Sequence, residues 1–223
     1  MMGGDYDFEP VRGLPANLPR GETLLWQGGP DFKGTALRVF HMRKVAIYFA
    51  ILAVWRLGSG LLDGAPLASA LSGASILVGL GLLVSAILCV ITWLVCRSTV
   101  YTITSRRIVM RIGVALPIHF NLPFKVLDSA SLKLYPDGTG NIPLVLSGSN
   151  RLAYLVLWPH ARPWRLGKPE PALRMVPGAA KVAQILAQAV TAAAPGKVQA
   201  GQPVVAAARD GDAAAWPLAP AAV

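Results

Sequence analysis

The sequence predicts an α+β membrane protein, in which a two-helix transmembrane hairpin precedes a cytoplasmic β-sandwich or barrel that ends in a C-terminal helix. Two long apolar runs, at residues 45–62 and 75–95, have the length of membrane-spanning helices. Short segments that alternate apolar and polar residues follow from Thr99, as is typical of half-buried strands. An apolar stripe with helical spacing then closes the folded part of the chain.

Composition supports the membrane assignment. Hydrophobic residues make up 54% of the 223 residues and charged residues only 14%, whereas about 25% charged is usual in soluble domains. The net charge of +10 is concentrated in residues 97–194, which hold twelve Lys and Arg against three Asp and Glu. This basic segment predicts contact with anionic lipid headgroups or an acidic partner. The membrane anchor directly before it disfavours the competing partner, nucleic acid.

The N-terminal residues 1–40 are predicted to form a cytoplasmic segment. Asp5, Asp7 and Glu9 stand near the start, and no basic residue leads into a short apolar core, so we expect no cleaved signal peptide. Residues 21–30 predict a short extended piece that ends at a Gly-Gly-Pro turn.

The transmembrane hairpin is expected over residues 41–97. Its second helix, 75–95, holds 21 uncharged residues, which cross the ~30 Å hydrocarbon core at ~1.5 Å per residue. The first helix, 45–62, is shorter and contains Arg56. Basic residues flank the pair on both outer sides and are missing from the turn at 63–66, so the positive-inside rule predicts that both termini are cytoplasmic.

The cytoplasmic domain is expected over residues 98–194. Its pattern is clearest at 107–112, where three isoleucine or methionine side chains share one face and both arginines share the other. Six further predicted strands lie at 99–104, 117–121, 126–134, 141–147, 151–158 and 172–176. Pro177 is a favourable first residue for the closing helix. Residues 195–223 are rich in Ala, Gly and Pro and predict a disordered tail.

The sequence carries no catalytic constellation, and we expect a protein that is not an enzyme and holds no cofactor or metal. It has no phosphate-binding glycine loop and no nucleophile elbow. His41, His119 and His160 fall in three different segments, and none lies at mid-membrane depth where it could ligate a pigment magnesium. Cys89 and Cys96 lie seven residues apart on one helix and are predicted to be inert thiols.

Arg56 is the first candidate contact residue, because an ionisable side chain within a spanning helix is by default a functional hypothesis. Two interpretations stay open. The arginine either snorkels to the headgroups or pairs with Asp63, or it contacts another membrane protein directly. Small residues at four-residue spacing between Ser75 and Cys89 likewise fit packing within the hairpin, or against a client or a second copy.

The second candidate is the segment 158–168, which interleaves two tryptophans with basic residues and a histidine. The proposed contact residues are Trp158, His160, Arg162, Trp164 and Arg165. Trp and Arg are enriched at interface hot spots, and two prolines stiffen the segment, which lowers the entropy lost on binding. As an interface, it predicts exposed arginines whose replacement leaves the domain folded. The alternative is a loop whose tryptophans cap the core.

Two layers of family resemblance accompany these patterns. Residues 101–113, Tyr-Thr-Ile-Thr-Ser-Arg-Arg-Ile-Val-Met-Arg-Ile-Gly, follow two spanning helices and resemble the first hairpin of the bacterial pleckstrin-homology-like membrane proteins. That resemblance implies a pleckstrin-homology fold. More narrowly, residues 24–28, 41–49 and 158–171 resemble the photosynthetic-complex assembly family of purple bacteria, which is encoded beside the reaction-centre H subunit. This match runs over most of residues 8–193.

The narrower resemblance implies a non-catalytic factor that assembles the photosynthetic reaction centre and its core light-harvesting complex through transient contacts. The implied partners are reaction-centre subunits and core light-harvesting polypeptides, with membrane lipids and a second copy of the chain as further partners and no nucleic acid. The implied location is the bacterial inner, or intracytoplasmic, membrane. The alternative is a general pleckstrin-homology-like module whose basic face binds anionic lipid headgroups.

Overall fold

A computed structural model describes residues 12–147, 153–162, 169–193 and 205–207. The chain divides into two compact units. Asp31–Ser98 form a helical hairpin unit, and the described residues of Met1–Pro30 and Thr99–Val223 form a sheet unit with two four-stranded sheets and a closing helix. The α+β class predicted from the sequence is therefore confirmed.

The hairpin unit begins with a helical turn, α1 (Phe32–Gly34), that continues as a π-helix at Thr35–Val39. Its long helices are α2 (Met42–Leu62) and α3 (Leu67–Ser98), and both are long and apolar enough to cross a membrane. α3 has 32 residues and begins eight residues before the predicted start. The prediction covered only the residues needed to cross the hydrocarbon core of a bilayer. The Leu and Ala residues of 67–74 have high helix propensity and extend the helix beyond that length.

Small side chains let α2 and α3 approach closely. The buried small residues of the two helices include Ala53, Gly60, Ala70, Ala74 and Gly81. A Cβ added at Gly81 would lie 2.8 Å from the Cβ of Phe49, so this phenylalanine of α2 packs directly on the glycine. A Cβ added at Gly79 would have no neighbour within 4 Å. Of the predicted small-residue stripe, Gly81 therefore packs within the hairpin and Gly79 does not.

The first sheet is antiparallel, with the order β1 (Leu24–Gly28), β2 (Val100–Thr104), β3 (Arg107–Ile112) and β4 (Ile118–Pro123). β1 precedes the hairpin in the sequence and β2 follows it, and the two strands pair with Gln27 opposite Thr102. The Gln27 side-chain amide donates to Thr102 Oγ1 at 2.9 Å and to the Arg12 carbonyl at 2.6 Å. The extended piece predicted at 21–30 is thus a sheet strand, and it joins the N-terminal segment to the sheet unit.

Both faces of β3 are buried, whereas its alternating pattern predicted that the face with the two arginines would be exposed. Arg111 lies opposite Val100 in the register and is buried with it. Gly13, at a φ of +82°, packs on Val100, where an added Cβ would lie 2.6 Å from Cγ1. Leu14 beside it is also buried. N-terminal residues therefore pack on a face that the local pattern assigned to solvent.

The second sheet has the order β7 (Ala172–Val176), β6 (Gly140–Leu146), β5 (Leu127–Leu134) and β8 (Val205–Ala207). β5, β6 and β7 are antiparallel, whereas β8 pairs with β5 in parallel. β8 belongs to the segment predicted to be a disordered tail. The structure therefore differs from that prediction at 205–207, and the remaining residues of 195–223 lie outside the described part of the chain.

The closing helix, α5 (Ala179–Ala193), packs the predicted apolar stripe on the core through Val182, Leu186 and Ala189. It begins two residues after Pro177, because Gly178 adopts a φ of +59° and forms a turn first. The same core takes strand residues from both sheets, among them Tyr101, Ile103, Ile108, Met110, Ile142, Leu144, Leu173 and Val176.

The strand predicted at 151–158 is wrong in its described part. Tyr154–Leu157 form a single helical turn, α4, and residues 148–152 lie outside the described residues. The amide N–H groups of Leu157 and Trp158 donate to the carbonyls of Ala153 and Tyr154. A short apolar run fits a strand and a buried helical turn equally well by periodicity, and here the helical turn prevails.

Candidate interaction surface

The helical turn α4 divides its apolar side chains between the core and the surface. Leu157 is fully buried and Tyr154 packs against the core. Leu155 is 85% exposed, Val156 43% and Trp158 52%. We call these three exposed side chains the α4 patch. Trp158 was one of the predicted contact residues, and its exposure is the arrangement that a contact role requires.

A buried hydrogen-bonded cluster lies directly after the patch. Tyr101 Oη is 2.6 Å from His160 Nδ1, and Thr99 Oγ1 is 3.1 Å from Nε2. The Arg174 amide N–H donates to Tyr101 Oη at 3.2 Å. Because the tyrosine oxygen accepts this bond, we assign its own proton to Nδ1, so that the N–H at Nε2 donates to Thr99. Arg174 Nη1 also donates to the Pro159 carbonyl at 3.1 Å.

His160 is an interior residue, and the prediction that it contacts a partner is corrected by its burial. The side chain is 2% exposed. Burial, and secondly the positive charge of Arg174, lower the pKa of His160 to about 3, so the imidazole is neutral at physiological pH. A neutral ring fixed at both nitrogens holds the loop after Trp158 to strand β2. His160 is therefore a positioning residue for the patch.

Arg162 is not the exposed arginine that the sequence predicted. Its Nη1 lies 2.6 Å from Glu170 Oε2, and the two side chains are only 12% and 5% exposed. The Arg162 amide also donates to the Glu170 carbonyl at 2.9 Å, so the pair closes the loop at its base. Replacing Arg162 alone would leave a buried carboxylate without this cation. Trp164 and Arg165, the other predicted contacts, lie outside the described residues.

A second ion pair, between a buried carboxylate and a half-buried arginine, ties the N-terminal segment to the first sheet and was missed by the sequence reasoning. Arg107 Nε and Nη2 donate to the two oxygens of Glu22 at 2.8 and 3.0 Å, and Thr104 Oγ1 donates to Glu22 at 2.7 Å. Burial alone would raise the pKa of Glu22, but the hydrogen bonds from Arg107 and Thr104 outweigh it and lower that pKa. The available signal in the sequence was Glu22, an acidic residue two positions before the apolar start of β1.

In the hairpin unit, the exposed Arg56 side chain crosses from α2 to α3. A Cβ added at Gly73 would lie 3.1 Å from Nε and 3.2 Å from Cζ and Nη2, and one added at Gly60 would lie 3.2 Å from Nη1. Within the described residues, no ion pair links Arg56 to Asp63, the partner that the sequence suggested. The guanidinium therefore lies in a slot that the two glycines leave open.

These arrangements leave apolar side chains and one arginine exposed at the surface. In the part of the chain that the structure describes, no group of three or more His, Cys, Asp or Glu side chains is placed to hold a metal ion. The histidine of the buried cluster is enclosed by its own hydrogen bonds. The α4 patch and the Arg56 slot are the exposed features that these residues build.

Comparisons with known proteins give two matches. The family model described as "Bacterial PH domain" matches residues 45–190. The protein named "Uncharacterized 23.7 kDa protein in puhA 5'region" of Rhodobacter capsulatus is 39% identical over 193 residues, which cover 86% of this chain and 90% of that protein. No solved structure matches.

Proposed function

The chain belongs to the bacterial PH domain family, and we propose that it is a membrane-bound assembly factor for the photosynthetic reaction centre and its core light-harvesting complex. It acts by transient protein contacts rather than by catalysis, in the manner of the assembly proteins called PuhB. An unpaired membrane subunit exposes apolar surface, and a factor that covers this surface raises the yield of the finished complex.

The α4 patch is the observation that carries this proposal. In a unit whose large apolar side chains are mostly buried, Leu155, Val156 and Trp158 are presented on one turn that a buried cluster holds in place. Tryptophan is enriched at protein-binding hot spots, and the two aliphatic side chains extend the exposed apolar surface beside it. We assign its occupant to a reaction-centre or core light-harvesting polypeptide. The name of the Rhodobacter relative, which refers to the puhA 5′ region, supports this assignment.

The proposed location is the bacterial inner, or intracytoplasmic, membrane, with both termini in the cytoplasm. The two long apolar helices support a hairpin that spans the bilayer. The pairing of β1 with β2 adds support, because strands before and after the hairpin share one sheet and so require both flanks on one side. Arg43 and Lys44 before the pair, and Arg97 after it, favour the cytoplasm by the positive-inside rule.

The test is the yield of pigment-protein complex in a photosynthetic host that lacks this chain. We expect less reaction centre and core antenna, and an unchanged absorption spectrum of the complexes that still form. Tagged full-length chain should co-purify with a subunit of either complex, and Trp158→Ala at a matched protein level should reduce that co-purification. Accumulation of a new pigment intermediate in the deletion strain would instead indicate an enzyme and would reject the proposal.

The concentration of positive charge in residues 97–194 favours one rival, a lipid-headgroup-binding module of general scaffolding role. The full-length chain in nanodiscs of graded anionic-lipid content separates the two. Client binding that is unaffected by lipid charge supports the assembly factor. Headgroup-selective, salt-sensitive binding with normal complex yield in the deletion strain supports the rival.

A further inference from the structure

Arg56 lies near the turn end of the hairpin. It precedes Leu62, the last residue of α2, by six residues, which is about 9 Å along the helix axis. Trp55, next to it, is largely exposed. An exposed tryptophan is typical of the headgroup level of a bilayer, so this depth corresponds to the boundary between acyl chains and headgroups.

The Arg56 side chain extends toward the turn. Helical side chains usually lean toward the N-terminus of their helix, but Nη1 of Arg56 reaches Gly60, one turn in the C-terminal direction. The rest of the guanidinium lies against Gly73 of α3. This is the direction that a snorkelling arginine takes to bring its charge toward the polar edge of the membrane.

The guanidinium has no acidic partner among the described residues of the hairpin. Asp63 is the one carboxylate in residues 42–98, and no ion pair joins it to Arg56. An arginine at the edge of hydrocarbon is costly unless an anion accepts its hydrogen bonds. No described residue of the hairpin pairs with Arg56 as that anion, whereas lipid phosphates lie at this depth.

We propose that Arg56, seated over Gly60 and Gly73, binds the phosphodiester of an anionic phospholipid in the leaflet around the hairpin turn. The planar fork of arginine matches two oxygens of one phosphate, and phosphodiesters are abundant at this depth. The glycines leave room for the guanidinium, whose atoms would be crowded by a side chain at either position. The proposal rests on the membrane-spanning hairpin of the proposed function.

The experiment titrates the full-length chain, purified in mild detergent, with phosphatidylglycerol and follows the lipid adducts by native mass spectrometry. Arg56→Gln removes the charge, and Gly73→Leu keeps the arginine but fills the slot. We expect the tightest lipid adduct to weaken about tenfold or more in both variants, because each removes the paired hydrogen bonds to phosphate. Gly79→Leu is the matched control, since Gly79 lies on the same helix and a Cβ added there would have no neighbour within 4 Å.

Equal lipid affinity in the wild type and in both slot variants overturns the proposal. So does displacement of the lipid by a tenfold excess of inorganic phosphate, which would make the slot a site for the free anion. Unchanged lipid binding with loss of client co-purification in Arg56→Gln would assign Arg56 to a client carboxylate instead. Recovery of the wild-type chain outside membranes would reject the spanning hairpin itself, which the same preparation reveals.

Discussion

The hairpin unit and the sheet unit place the same residue types in opposite environments. In the hairpin, Ile51, Val54 and Leu82 are largely exposed, whereas in the sheet unit Ile108 and Leu144 are fully buried. Removing apolar surface from water is favourable by about 25 cal/mol per Å², so the exposed hairpin surface favours surroundings that replace water, which lipid provides in the proposed function. Apolar composition alone therefore does not define a core, because the surrounding solvent decides which apolar side chains are buried.

The α4 patch is one place where the sheet unit departs from this rule, as the exposed Leu116 is another. Its exposed leucine and tryptophan resemble the surface of the hairpin more than that of their own unit. Either a protein or a lipid surface has to cover them, and the proposed function assigns a protein.

Breaking the buried ion pair between Arg162 and Glu170 should give the largest loss of stability. Arg162→Ala is expected to destabilise the sheet unit by about 3–5 kcal/mol, because the buried Glu170 loses the cation that lies 2.6 Å from its carboxylate. Thermal unfolding of the full chain in detergent measures this loss. The control is the double change Arg162→Met with Glu170→Leu, which removes both charges and should be nearly neutral. A single variant that melts like the wild type would show the pair to be solvated.

A matched pair of leucine truncations tests the comparison itself. Leu144→Ala in the sheet core should cost about 2–5 kcal/mol through lost burial and the cavity left behind. Leu82→Ala, the same change on the exposed surface of α3, should leave the melting temperature in detergent almost unchanged. Equal losses in the two variants would mean that the hairpin surface is buried by protein rather than by lipid.

The buried histidine should make the sheet unit less stable in acid. The pKa of His160 is lowered from 6.5 to about 3, so below pH 6.5 the unfolded chain binds a proton that the folded chain does not. Stability is therefore complete above pH 6.5 and falls by up to about 1.4 kcal/mol per pH unit between 6.5 and 3. Chemical unfolding across this range should give a flatter curve for His160→Gln.

The matched variant for the acid test is Glu22→Gln. The pKa of Glu22 is lowered from 4.5, so its stabilisation is present above pH 4.5 and is lost only as pH falls below that value. Glu22→Gln should therefore lower stability above pH 4.5 and flatten the slope of the curve only at its acidic end. An unchanged slope between pH 6.5 and 4.5 in His160→Gln would place the ring in a solvated position.

The patch should give the smallest effect on stability and a clear effect on binding. Leu155→Ala is expected to change unfolding by less than about 0.5 kcal/mol, because the side chain is already exposed. Co-purification of the client should nevertheless fall. Leu116→Ala is the control, since Leu116 is comparably exposed in the loop before β4. Equal client recovery from both variants would remove the patch from the interface.

Local patterns predicted most of the secondary structure because each depends on a few neighbouring residues. The two apolar runs, the alternation at Arg107–Ile112 and the stripe of α5 all lie where the sequence indicated. The helix ends and the turn at Tyr154–Leu157 differed. The thickness of a bilayer sets a minimum length for a spanning helix but no maximum, so the full extent of α3 was not predicted. Four apolar residues are too few for their periodicity to distinguish a strand from a helical turn.

The site could be predicted only in part, because its essential contacts join residues far apart in the sequence. The basic and aromatic composition of segment 158–168 indicated the exposed Trp158. Nothing local indicated that Arg162 would be buried against Glu170, or that Tyr101 and Thr99 would enclose His160. A histidine beside a tryptophan fits an interface and an interior cluster equally well until the strand that faces it is known.

The pairing of β1 with β2 constrains the order of folding during synthesis. Gln27 and Thr102 are 75 positions apart, so at about 5–20 residues per second the ribosome delivers the second strand roughly 4–15 s after the first. Throughout that interval both helices leave the ribosome while the first strand waits with its backbone groups unpaired. If the two ends of the hairpin were on opposite sides of a bilayer, β1 could not pair with β2. In the proposed spanning topology, closure of the sheet therefore requires a hairpin that inserts with both ends on the same side.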